Sequence, residues 1–229
     1  HAPGRLRAEA MNSLSENIDA LYAAFRDVPK PSGIEGCPCC IDRKGICTLL
    51  SKPLRELTSR ELASYSASAF LTVGGEADYL YFLPRIVEIG CTEAGQWPDI
   101  EVTGRAIGET HPVKWPEKRK QALREVLHAV LQQAIAEEDG WAIDQWICAI
   151  AKMGFEVLPF LEQIGTSSRA LLAYYERNAQ SLIKQKLGNS FWEGDDPGYQ
   201  TVLSWFQRPG VSRIILDAYS LGPTPNHQG

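Results

Sequence analysis

The chain has no apolar run close to the ~18–20 residues that a membrane-spanning helix requires. It also lacks the charged stretch leading into a short apolar segment that marks secretion. A cytoplasmic location, away from membranes, is the expectation. Histidine is scarce, four in 229 residues, and His1 and His227 lie at the ends of the chain. The remaining two, His111 and His128, form no Ser/His/Asp or Cys/His constellation by spacing. A G-x-x-x-x-G-K-[ST] loop, a G-x-G-x-x-G turn and an H-E-x-x-H helix are all absent, which removes the usual signatures of nucleotide and zinc-hydrolase sites. Basic excess is missing too: the net charge is −5, and nucleic-acid binding needs cations to displace counterions from phosphates.

What the chain does have is an unusual cysteine loop. Only six cysteines are present, yet three fall in four positions, Cys37-Pro38-Cys39-Cys40, with Cys47 seven residues further on. Three chemistries compete for this stretch. Structural zinc would use Cys37, Cys40 and Cys47, with Cys39, Cys91 or His111 as a fourth ligand. A tetrahedral site usually draws on a second C-x-x-C or His pair, and none exists here. Thiol redox chemistry fits the C-P-x-C form. Such sites lie between a strand and the start of a helix, whereas turn residues precede this one and "IDRKG" follows as a charged stretch broken at Gly45. Plain packing of unmetallated thiols is the third reading, and a permanent disulfide is not expected in a cytosolic chain. No cofactor is expected, structural zinc being the alternative.

The periodic segments read as helices. Ser13-Leu14-Ser15-Glu16 and Thr58-Ser59-Arg60-Glu61 have the capping-box form, each followed by an apolar stripe. "EADYLYFLPRIVEIG" reads as a helix with a kink or a fresh start at Pro84. Residues 91–113 are the least regular stretch, and "PDIEVTGRAIGE" within them suits a short strand. Helical period returns from Pro116 to Gly188 and again at about 199–207 and 210–220. Short loops between amphipathic helices predict an all-α, single multi-helix domain over residues 14–221, with helical-repeat character in its C-terminal half. Residues 1–13 are expected to be a flexible extension and 222–229 a flexible tail.

The negative charge is uneven. Between residues 61 and 113 two arginines face eight carboxylates. Aromatic rings mixed with these carboxylates suit a surface for a basic protein partner. The candidate contact residues are Glu76, Asp78, Tyr79, Tyr81, Glu88, Glu93, Asp99 and Glu101. The bland counterpart is a solvated acidic face whose rings pack inward.

"GCPCC" together with "ADYLYFLPRIVEIG" resembles a family of uncharacterised bacterial proteins that carry a CPCC loop, an F-L-P-R-I segment and a later Trp-rich helical half, here "WAIDQWICAIAKMG". The resemblance covers about residues 14–220 and implies no catalytic residues. Soluble, acidic, helical proteins of this kind are similar to immunity proteins of bacterial toxin systems by class. The leading functional expectation is therefore a non-enzymatic interaction module that binds and neutralises a cognate toxin, with a zinc- or thiol-dependent regulator or enzyme as the alternative.

Overall fold

A computed structural model describes residues 2–93 and 98–220, with side chains from Ser13 onward. The expected tail at 222–229 lies outside the described residues, as does part of the irregular stretch after Cys91. Eleven α-helices make up the described chain: α1 (Ala2–Phe25), α2 (Arg43–Ser51), α3 (Ser59–Ser68), α4 (Glu76–Thr92), α5 (Ile100–Glu109), α6 (Glu117–Ala136), α7 (Gly140–Lys152), α8 (Leu158–Ile164), α9 (Ser168–Leu182), α10 (Tyr199–Phe206) and α11 (Pro209–Ser220). Among the described residues there is no strand, only two isolated bridges that join Val73 to Gly36 and to Ala69. The all-α fold expected from periodicity is the fold observed.

The backbone of α1 runs from Ala2, so the Ser13 box does not begin that helix. The second box does begin one: Thr58 accepts from the Glu61 N–H, and Glu61 accepts from the Thr58 N–H at 3.0 Å. Such reciprocal capping satisfies two donors that a helix start otherwise leaves bare. Pro84 sits inside α4, which continues through it to Thr92.

The centre of the molecule is α7. Residues Trp146 to Ala151 are all buried, as expected for a helix enclosed on every side. Its principal neighbours are α5, α6 and α9, while α1 lies along α6 and α11 covers α9. The contact with α5 overturns the strand expected in "PDIEVTGRAIGE". Thr103, Gly104, Ala106 and Ile107 are all buried, at i, i+1, i+3 and i+4, a spacing that belongs to a helix face rather than to alternation.

Polar groups are buried between these helices. Glu101 is 1 % exposed; its Oε1 accepts from Asn189 Nδ2 at 2.7 Å, and its Oε2 has no hydrogen-bond partner among the described residues. Asp144, also 1 % exposed, accepts from Asn178 Nδ2 at 2.9 Å. Burial pushes both carboxyls above the usual range, partly offset by the asparagine donors. A carboxyl whose folded pKa lies above its unfolded value contributes fully at low pH and loses that contribution as pH rises past the unfolded value, about 4.3 for glutamate. Glu101→Gln keeps the acceptor for Asn189 and removes the ionisation. Its melting temperature relative to the native chain is expected to rise between pH 4 and pH 7, by about 2–4 °C per ~1 kcal/mol. A difference that stays constant across that range would show that Glu101 is not the group responsible.

Candidate functional site

The cysteine loop is pinned on both sides. Cys37 N–H donates to Thr72 O at 2.8 Å and Gly74 N–H donates to Glu35 O at 2.7 Å, holding the loop against residues 69–74. Pro38 then opens a tight turn in which the N–H groups of Cys40 and Ile41 return to Cys37 O at 2.9 and 3.2 Å. Proline is well suited to the second position of such a turn, because its ring sets the φ that the turn requires. Asp42 follows as N-cap, accepting from Gly45 N–H at 2.6 Å, and α2 begins at once. Gly45 lies inside that helix. The sequence suggests a break there, but the cap and the apolar side chains Ile46, Leu49 and Leu50 packing on the core carry the helix across it. The setting denied to a redox motif by the sequence is thus half restored: an isolated bridge precedes the cysteines and a helix follows them.

All six cysteines are free thiols. The Cys37 thiol is held below the usual thiol range, chiefly by the backbone N–H of Cys39 and by the Cys39 side chain, with Cys40 adding further hydrogen bonds. Donors aimed at one sulfur favour its anion. The Cys39 thiol shifts the other way, since it donates to Cys37 and sits beside its developing charge. Cys40 is half-buried, and its sulfur accepts from Thr72 Oγ1 at 2.9 Å.

Beside this turn lies a cleft of about 680 Å³ between the first turns of α2 and α3, lined by Cys39, Cys40, Lys44, Thr48, Arg60 and Glu61 among others. Cys39 and Cys40 thus line the cleft, whereas Cys37, in the same turn, is not among the residues named in its wall. Neither Thr72 nor the 58–64 wall was signalled by sequence spacing: Thr72 sits 32 residues from the sulfur it contacts.

The zinc alternative draws its ligands from several elements. Among the described residues no group of three or more His, Cys, Asp or Glu side chains is placed to hold a metal ion. Cys47 is exposed on α2, Cys91 lies near the end of α4 with its thiol pushed up by burial, and His111 stands between α5 and α6. His128, read as a core-edge residue, stacks on Phe160 with ring centroids 4.1 Å apart and meets Gln163 Oε1 at 2.7 Å.

The eight candidate contact residues do not form one surface. Tyr79 is fully buried and Glu101 nearly so, which removes both from any partner's reach in this conformation. Asp78 is occupied internally, by the Tyr65 hydroxyl at 2.5 Å and the Gly75 N–H at 2.9 Å. Glu88 accepts from Tyr22 and pairs with Arg85 at 2.8 Å, and Glu93 lies 3.6 Å from the same guanidinium. Tyr81 is half-buried with its ring against Phe82. Only Glu76 and Asp99 are exposed. The acidic excess is largely spent on caps and ion pairs within the fold. No protein-family model, curated protein or solved structure matches the chain.

Proposed function

We propose that the protein carries out reversible thiol–disulfide exchange through the Cys37–Cys40 pair, as a redox enzyme or thiol-based regulator. The observation that carries this reading is the turn itself. It places Cys37 and Cys40 three residues apart at its two ends, joined by the Cys40 N–H on Cys37 O, with Cys40 in the wall of an open cleft. A turn closed by the Cys40 N–H on Cys37 O brings the two Cα atoms within about 7 Å, inside the range that a disulfide spans.

The chemistry follows from Cys40 lining the cleft and Cys37 being its partner across the turn. In the oxidised protein, a thiolate bound in the cleft attacks Cys40 Sγ. The Cys37–Cys40 bond breaks, a mixed disulfide forms on Cys40, and Cys37 leaves as the stabilised thiolate. A second external thiolate attacks the external sulfur of that mixed disulfide, and Cys40 leaves and takes up a proton. The protein gains two electrons, and two thiols become one disulfide. In reverse, Cys40 attacks an external disulfide and the Cys37 thiolate closes on Cys40. A leaving thiol of low pKa departs faster, and donors that stabilise the reduced form make the disulfide easier to reduce. Cys39 is the poorer partner because its proton is held toward Cys37.

Incubation of the reduced protein with a small disulfide, followed by peptide mapping, is expected to return one intramolecular Cys37–Cys40 disulfide, with Cys91 and Cys148 unmodified. A Cys39–Cys47 bond, or no bond at all, would remove this reading. Toxin neutralisation through the acidic segment has support only from Glu76 and Asp99.

A further inference from the structure

We infer that the cleft beside Cys40 selects a small thiol–disulfide couple bearing carboxylates, recognised by Lys44 and Arg60. This rests on the exchange reading above and names its substrate class. The cleft holds two cations and two anions, but they are not equally available. Asp42 is committed to the Gly45 N–H as the cap of α2. Glu61 is committed to Lys52 and to the Thr58 N–H, and that contact holds its carboxyl below the usual range. Among the described residues, Lys44 and Arg60 enter no ion pair, and both are exposed on the cleft wall. Lys52 offsets Glu61, and Asp42 keeps its charge at the α2 N-terminus that it caps, so Lys44 and Arg60 together leave a net positive field for an incoming molecule.

Size narrows the choice. A volume of about 680 Å³ lies within the range of small-molecule sites and suits a molecule of a few residues rather than a folded domain. The lining adds hydroxyls: Thr58 and Ser64 can donate to a carboxylate, while Thr48, whose proton goes to Lys44 O, can accept from an amide. Cys39 and Cys40 form the wall at which the reacting sulfur must arrive. The covalent step is the exchange already balanced above: an external S–S bond breaks, a Cys40–S bond forms, and one thiolate is released and protonated.

The test uses the full chain, fully reduced, with three small disulfides as probes: glutathione disulfide, which is anionic; hydroxyethyl disulfide, which is neutral; and cystamine, which is dicationic. Oxidation is followed by intact mass and compared with an uncharged cysteine peptide under the same conditions. Glutathione disulfide is expected to react about tenfold faster than cystamine after that correction, and the ratio to shrink as salt screens the cleft. In the double variant Lys44→Glu/Arg60→Glu the order is expected to invert, cystamine becoming the faster. That gain also shows that the variant is folded and its thiols are competent. Equal corrected rates for the three probes with the native chain, or an unchanged order in the variant, would overturn the charge selection while leaving exchange intact. Failure of all three probes to oxidise the pair would overturn the exchange reading itself, and this inference with it.

Discussion

Cys37→Ser is expected to leave a protein that takes up one equivalent of a small disulfide and cannot complete the reaction. Cys40, in the cleft wall, still attacks, giving a mixed disulfide, but the thiolate that closes on it is gone. Intact mass should show a persistent single adduct mapping to Cys40, where the native chain passes through it to the intramolecular bond. Release then depends on external thiol. An intramolecular thiol three residues away exceeds millimolar external thiol in effective concentration by on the order of 100-fold or more, and two-electron turnover should fall by a similar factor. The same substitution removes the thiol that alkylates below its ordinary range. Donors from Cys39 and Cys40 hold Cys37 low, so its thiolate persists as pH falls below the usual midpoint of about 8.5, and iodoacetamide labelling of the native chain should persist there with it. The serine variant should lose that low-pH phase. Stability should change little, within about 0.5 kcal/mol, because the side chain lies on a half-exposed turn. The converse variant, Cys40→Ser, keeps the low-pH alkylation and loses the adduct in the cleft. An adduct on Cys37 in that variant, forming as fast as in the native chain, would reverse the assigned roles.

The fold was readable wherever a local rule decided the outcome. The Thr58–Glu61 box caps α3 as its spacing implies, the Pro116-to-Gly188 pattern becomes four helices, and the two short C-terminal helices begin within a residue of where apolar spacing places them. It was not readable where a partner far along the chain decided. "PDIEVTGRAIGE" is rich in β-branched residues, and only the packing of α5 on α7 makes it helical. Charge misled for a related reason. Glu101 looks like a surface carboxylate in sequence, but Asn189, 88 residues away, receives it in the interior. Composition counts carboxylates without recording that Asp78 is a cap, that Glu88 and Glu93 share Arg85, or that Glu61 holds Lys52. The cysteine loop stood out in sequence, but its cleft did not, because α3 supplies the far wall and Thr72 the contact to Cys40.

The packing of α5 on α7 depends on an atom that is not there, and Gly104→Ala tests it. A Cβ at position 104 would stand 2.6 Å from Ala149 O and 2.8 Å from Ala149 Cα. These are backbone atoms of the most enclosed helix, so no rotamer change relieves the contact and the helices must separate. Gly108, one turn further along α5, meets the backbone of Lys152 in the same way, so the pair forms a smooth strip along which α7 lies. Overpacking of this kind costs about 3 kcal/mol, or roughly 6–12 °C in melting temperature for a chain of this size. Gly210→Ala is the control: nothing lies within 4 Å of its added Cβ, and alanine in a helix is favoured over glycine by up to about 1 kcal/mol. A melting temperature for Gly104→Ala within 2 °C of the native value would mean that α5 and α7 do not approach this closely. The cysteine chemistry should survive the substitution below its melting transition, since the loop is held by α2 and residues 69–74 rather than by α5. Loss of stability with unchanged low-pH alkylation of Cys37 would separate the element that holds the fold from the turn that carries the reaction.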